Sequence, residues 1–169
     1  MAEIKLHIRQ GAFIPADGCA ENALLLKTVI NEARHKLLPL AMASVDVTKT
    51  FDRVAHRAII NGLKRKGVED DFCKYIQEFY FLATTVLCQD GDTLLVYPTR
   101  GGRRGDPLSP LLFNLVLDEF LDSQQPEVSF ISGGLSVTSI AFADDIILTA
   151  STKIGLQCEL DYLHRYLEE

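Results

Sequence analysis

LSVTSIAFADDIILTA, residues 135–150, alternates apolar and polar positions from Leu135 to Phe142, the period of a strand with one face on a core. Ala143-Asp144-Asp145 then supplies turn chemistry, because Asp hydrogen-bonds the backbone of its own turn, and Ile146–Ala150 leaves as a second strand. The stretch therefore reads as an antiparallel hairpin with two neighbouring acids at its tip. Upstream, LPLAMASVDV (residues 38–47) reads as a short buried strand that ends on a lone acid, Asp46, 98 residues before Asp144. A charge at the end of a buried strand needs compensation. If that strand lies beside the hairpin, Asp46, Asp144 and Asp145 converge at one sheet edge.

The segments between these strands read as helices and a second hairpin. Glu21 to Leu38 places Leu26, Val29, Ile30, Ala33 and Leu37 at helical spacing and is closed by Pro39. His56–Lys66 is a helix stopped by Gly67. Asp70–Ala83 is a stronger one, with Phe72, Tyr75, Ile76, Phe79, Tyr80 and Ala83 on one face. TTVLCQ and TLLVYP flank Asp90-Gly91, a β-hairpin signal. Thr99–Asp106 holds three glycines and three arginines in eight residues, and Ser109 and Pro110 are expected to open the next helix as N-cap and first-turn residues. That helix, LLFNLVLDEFL, is apolar nearly all round and is expected to be buried. Asp122–Gly134 reads as a polar loop, and Leu156, Leu160, Leu163 and Leu167 stripe a last helix. No linker, repeat or second domain is apparent, and this order of elements predicts an α+β fold with a largely antiparallel sheet.

Composition narrows the function. The 169 residues carry 17 Lys+Arg against 23 Asp+Glu, a net charge of −6, with 47% hydrophobic residues. A chain of this size and apolar content can bury a core. Its acidity argues against a domain that holds nucleic acid alone, because such domains neutralise phosphates with a basic excess. Cys19, Cys73, Cys88 and Cys158 have no metal or disulfide spacing and are expected to be free and mostly buried. His7, His35, His56 and His164 are scattered, so neither a Ser-His-Asp triad nor a zinc site is indicated. No apolar run reaches the ~18–20 residues of a membrane span, and an intracellular location is expected.

Three converging carboxylates without histidine suit Mg²⁺, a hard cation that takes oxygen ligands. Two such ions about 3.5–4 Å apart would activate a 3′-hydroxyl and stabilise a pyrophosphate leaving group.

SVDVTKTFDRVAH (44–56), RGGRRGDPLSPLLFNLVLDEFL (100–121) and FADD (142–145) resemble motifs A, B and C of reverse transcriptases. They are most similar to those of non-LTR, LINE-like retrotransposons that insert into ribosomal DNA. IPADGCAEN (14–22) and GLQCELDYL (155–163) are similar to the same group, so the likeness covers nearly the whole chain. The resemblance implies a polymerase palm, ferredoxin-like with a largely antiparallel sheet and helices on one face, plus part of the fingers. Residues 1–45 and 67–98 would be fingers-proximal, and 46–66 with 99–169 palm. It implies RNA-directed DNA polymerisation of dNTPs from an RNA template and a DNA primer, with two Mg²⁺ ions or Mn²⁺ as cofactor. The partners would include a thumb and an endonuclease outside this stretch, and an active element would work in the nucleus.

Position by position, Asp46, Asp144 and Asp145 would be catalytic, and these three with the Val47 carbonyl would hold metal. Phe51 would close over the nucleotide's C2′ and exclude ribose by steric clash. Arg103, Arg104 and Gly105 would lie along the nucleotide, and Gly101, Asp106, Pro107 and Asn114 along template or primer. Read without the family, Phe51 is a core ring, Arg103 a solvated loop arginine and Asn114 a buried amide.

Departures fall on nucleotide handling. Arg104 stands where the family usually has Gln, Gly102 where it has Val, and Thr50 where KAFD is usual. Two other readings share the motifs: a folded remnant that catalyses nothing, and a nucleotide cyclase using the same acids.

Overall fold

The computed structural model describes residues 5–47, 50–89, 92–102, 105–124 and 126–168, without the side chains of Thr50, Phe51 and Leu135. In chain order its elements are α1 (Gly18–His35), β1 (Ala41–Asp46), α2 (Thr50–Arg53), α3 (His56–Arg65), α4 (Asp70–Phe81), β2 (Thr85–Gln89), β3 (Asp92–Val96) and α5 (Leu108–Ser123). A 3-10 turn at Pro126–Val128 follows, then β4 (Phe130–Ser132), β5 (Leu135–Val137), β6 (Ser139–Phe142), β7 (Asp145–Ala150) and α6 (Lys153–Glu168). Every pair of named strands is antiparallel. Helices interleaved with antiparallel strands make the fold α+β. The chain divides into two compact units, one built from Leu6–Thr48 with Leu117–Glu169 and the other from Lys49–Val116. Among the described residues no helix is long and apolar enough to cross a membrane.

The first unit centres on a three-stranded sheet in the order β1-β7-β6. Central β7 is covered on both faces, with Ile146, Leu148 and Ala150 buried on one and Thr149 on the other. β1 sits at the edge. Ala41, Ala43 and Val45 are half-buried while Met42, Ser44 and Asp46 are exposed, so the expected buried strand is an edge strand with one covered face. Asp46 ends it on the solvent side, where its charge needs no buried partner.

α6 packs on β7 and β1, and α1 on β6 and β4. Val29 and Ala33 of α1 join Phe130, Val137 and Ile140 in one buried cluster. α1 begins at Gly18 rather than Glu21, because the Asp17 carboxylate accepts the Ala20 N–H at 3.1 Å and caps the first turn. Phe120 near the end of α5 lies against Tyr162 and Tyr166 of α6, with ring centroids 5.6 and 5.8 Å apart.

Three expectations in this unit change. The polar loop from Asp122 to Gly134 contains β4, which pairs with β5. The alternation from Leu135 to Phe142 is two strands, since β5 pairs with β4 and β6 with β7. They part at Thr138, whose carbonyl accepts the Thr149 N–H at 2.8 Å. On α6 the buried positions are Gly155, Glu159 and Leu163, while Leu167 is exposed.

In the other unit, Ile59, Ile60 and Leu63 of α3 and Cys73, Ile76 and Tyr80 of α4 are buried, and the two helices pack together. The face expected on α4 is narrower than its spacing suggested, because Phe72 and Tyr75 are exposed. Gly62 permits a close crossing, since a Cβ there would stand 3.3 Å from the Leu115 carbonyl oxygen. β2 and β3 pair in register from Thr85 opposite Val96 to Gln89 opposite Asp92; the turn residues Asp90 and Gly91 lie outside the described residues. Of the four free cysteines only Cys73 is buried, and Cys19, Cys88 and Cys158 are exposed on their elements, contrary to expectation.

Candidate active site

β1 and β7 run antiparallel from Ala41 opposite Ala150 to Asp46 opposite Asp145. β6 pairs with β7 on the other side, and Phe142 opposite Asp145 closes a two-residue turn of Ala143 and Asp144. The Val47 N–H donates to the Asp144 carbonyl at 3.3 Å, extending the β1–β7 ladder past its last pair. Three acids and Val47 therefore occupy one end of one sheet, within one unit. The strands that carry them are fixed by buried Ile146 and Leu148, so the register of the acids follows from the packing of the core.

The turn is backbone-strained at Ala143, which has φ +54°. A two-residue hairpin turn of the type that matches strand twist needs positive φ at its first position, and for a residue with a Cβ this costs roughly 1–2 kcal/mol. Ala143 is itself buried.

Asp46 and Asp145 are exposed and Asp144 is half-buried. Among the described residues no three His, Cys, Asp or Glu side chains are gathered closely enough to hold a metal ion. The donors nevertheless suit Mg²⁺, being oxygen ligands on residues whose backbones stand opposite or adjacent. An aspartate side chain turns about two torsions, and a shared cation would require these three to turn toward one another.

The remaining candidates belong to the other unit. Gly101 has φ +95°, and a Cβ on it would stand 3.0 Å from the Asp52 carbonyl oxygen. Its N–H donates to the Val54 carbonyl at 2.8 Å, and its own carbonyl accepts from His56 Nε2 at 2.9 Å. Gly101 is thus a point of close backbone approach. Gly105 has φ +83° and faces open space.

Asp106 precedes α5, and its carboxylate accepts the Leu108 N–H at 3.0 Å. The capping expected of Ser109 falls to Asp106, and Ser109 and Pro110 lie inside the helix. Pro107 is exposed between them, and Asn114 is fully buried on α5. Arg103, Arg104 and the Phe51 side chain lie outside the described residues.

Residues that motif reasoning passed over support the acid turn. Gln10 forms a parallel bridge with Ala141 of β6, and Asn22 Nδ2 donates to the Ala141 carbonyl at 2.8 Å. Residues 7–12 have no periodicity, so nothing local marked them. Asn22 closes IPADGCAEN, the one local signal.

Comparison with known proteins is consistent with this geometry. Residues 4–169 match the family model described as "Reverse transcriptase (RNA-dependent DNA polymerase)". A retrovirus-related Pol polyprotein from type-1 retrotransposable element R2 of Nasonia vitripennis is 42% identical over 97% of the chain. The corresponding polyprotein from type-2 retrotransposable element R2DM of Drosophila melanogaster is 39% identical over 90%. The chain spans 16% and 15% of those relatives' lengths. Among solved structures, apo telomerase from Candida tropicalis, truncated from its C-terminal domain, shares the fold with a TM-score of 0.64. The two are 17% identical, and the match covers 88% of this chain and 32% of that one. With the family model matched along nearly its whole length, the chain belongs to the reverse transcriptase family.

Proposed function

We propose that this chain is the palm, with part of the fingers, of an RNA-directed DNA polymerase from a non-LTR retrotransposon of the kind that inserts into ribosomal DNA. It would add dNTPs to a DNA primer on an RNA template. The observation that carries the reading is the register of β1 and β7, which sets Asp46 opposite Asp145 and beside the Asp144 turn. Reverse transcriptases generally use divalent metal ions. Asp46, Asp144, Asp145 and the Val47 carbonyl would hold two Mg²⁺ ions, whose chemistry is to lower the pKa of a 3′-hydroxyl and neutralise charge on the leaving phosphates.

The chain's own residues do the positioning. Asp46 ends an edge strand and Asp145 begins the central strand, so both carboxylates project from rigid sheet rather than from loop, and the pair keeps its spacing as substrates enter. Phe51, five residues after Asp46, would exclude a 2′-hydroxyl by volume, while Arg103, Arg104 and Gly105 would lie along the triphosphate. Gly101, Asp106, Pro107 and Asn114 would contact the template-primer. With a net charge of −6, the chain has no basic excess to set against the duplex phosphates, so basic segments elsewhere in a longer polyprotein would provide that grip.

The test is a transplant. The matching segment of the Nasonia vitripennis polyprotein is replaced by this chain, and incorporation of dNTPs on an RNA template with a DNA primer is measured in Mg²⁺. Incorporation that is lost in Asp46→Ala and in Asp144→Ala supports the reading. A chimaera that folds and binds template-primer yet incorporates nothing would refute it and leave the chain a remnant.

A further inference from the structure

The turn that carries Asp144 is held from outside its own hairpin. Gln10 is 1% exposed, and its Oε1 accepts two backbone N–H groups, from Ala12 at 3.1 Å and from Ala143 at 3.0 Å. With a donor on each side, that end of the carboxamide must be the oxygen. The second of these donors belongs to the strained residue of the acid turn. Ala143 lies in the turn beyond the last β6–β7 pair, outside the strand ladder, and Gln10 supplies the acceptor for its N–H from 133 residues away.

Gln10 is itself fastened. Its segment joins β6 through the Ala141 N–H to the Arg9 carbonyl and the Gly11 N–H to the Ala141 carbonyl, both 2.9 Å. Arg9 Nη2 donates to the Ser136 carbonyl at 2.9 Å, and Arg9 Nη1 to Thr138. Burial lowers the Arg9 pKa, and the charge of Glu159 opposes that shift. The His7 N–H donates to the Asp118 carboxylate. Gly11 lies so close to the start of α1 that a Cβ on Gly18 would stand 1.9 Å from the Gly11 carbonyl oxygen. The stretch is thus clamped between α1 and β6.

Gln10 Nε2, also buried, has no hydrogen-bond partner among the described residues. An unpaired buried donor is unfavourable, and an apolar side chain of the same length would avoid it. What such a side chain lacks is an acceptor for the Ala143 N–H.

We infer that Gln10 is a positioning residue for the acid turn. Its carboxamide holds Ala143 in the left-handed conformation and so fixes the direction of Asp144 toward the cation shared with Asp46 and Asp145. The inference rests on the proposed metal role of those acids.

The experiment uses the purified chain and two readouts, amide hydrogen exchange and Mn²⁺ binding followed by electron paramagnetic resonance. Gln10→Met removes the acceptor at nearly constant volume. It should speed exchange at the Ala143 amide about tenfold, as loss of one hydrogen bond does, leave the Leu148 amide of β7 unchanged, and weaken Mn²⁺ binding several-fold. Gln10→Glu keeps an oxygen at the same reach and should restore Ala143 protection. A through-hydrogen-bond scalar coupling between the Ala143 nitrogen and the Gln10 Cδ reports the contact in the unmodified chain, so a poorly folding variant does not block the test.

Absence of that coupling, or Ala143 exchange unchanged in Gln10→Met, overturns the clamp. Ala143 and Leu148 exchange rising together with Mn²⁺ binding unaltered would make Gln10 a general stability residue and overturns the positioning role. Failure of the underlying reading looks different. The unmodified chain and Asp144→Ala would then bind Mn²⁺ equally poorly, while the coupling and exchange data still decide whether Gln10 holds the turn.

Discussion

Replacing Asp145 with asparagine should stabilise the chain in EDTA and largely remove its stabilisation by Mg²⁺. Asp46 and Asp145 are opposite residues on antiparallel strands, a relation that sets their Cβ atoms about 4.5–5.5 Å apart. Two unit charges roughly 5 Å apart repel by about 0.8 kcal/mol in water and about 3 kcal/mol at an effective dielectric of 20. Both side chains are exposed, which places the repulsion near the lower figure, about 1 kcal/mol. For a chain of this size that corresponds to a rise in Tm of about 2–4 °C. A cation bound between the acids reverses the order. With a Kd of about 1 mM, 10 mM Mg²⁺ would stabilise the unmodified chain by about 1.4 kcal/mol, and the variant by much less. Calorimetry of both proteins in EDTA and in Mg²⁺ measures all four values. A variant that melts lower in EDTA, or that gains as much from Mg²⁺ as the unmodified chain, would show that these two acids are neither a repelling pair nor a shared cation site.

Three further outcomes are expected. Gly18→Ala should cost about 1–3 kcal/mol, the usual penalty for overpacking, because its Cβ would stand 1.9 Å from the Gly11 carbonyl oxygen; urea denaturation at the level of unmodified protein would contradict that contact. Leu148→Ala removes a fully buried side chain from the central strand and should cost about 2–5 kcal/mol, read as a lower urea midpoint at constant m. Hydrogen bonds from Lys36 and then Ser132 hold the Glu32 carboxyl below its ordinary value of 4.5. Its folded pKa is thus lower than its unfolded one, so its contribution is complete above pH 4.5 and fades as pH falls through the folded value. Chemical denaturation from pH 6 to pH 3 should show Glu32→Gln losing less stability than the unmodified chain, and parallel pH curves would deny the effect.

Much of the fold was legible because its signals are local. Pro39 and Gly67 close the stretches that hold α1 and α3 by backbone chemistry alone, although the Asp17 cap that starts α1 three residues before Glu21 was not read, and the β2–β3 hairpin shows in the runs flanking Asp90-Gly91. What failed was whatever depends on neighbours. Alternation from Leu135 to Phe142 records which residues share a face, but a strand that changes partners at Thr138 keeps the same period. Helical spacing on α4 aligns Phe72 with Ile76, yet the width of the covering helix decides which is buried. The acids of the candidate site were visible as residue types; the placing of their backbones at one end of a sheet depended on a pairing between strands far apart in sequence. Gln10 was invisible, because a glutamine in an aperiodic segment carries no mark of the N–H it meets 133 residues later.

That long-range pairing also sets the order in which the site can come into being. The unit that bears the acids is interrupted after Thr48 by the whole of Lys49–Val116. Closing β1 onto β7 therefore encloses a loop on the order of 100 residues, at about 2 kcal/mol more entropy cost than a ten-residue loop. A nascent chain emerging from the ribosome has Asp46 early but cannot oppose it with Asp145 until β7 has followed. Compaction of the intervening unit shortens the search before then. The acid pair is consequently among the last features to assemble, and half-made chains cannot set Asp46 opposite Asp145.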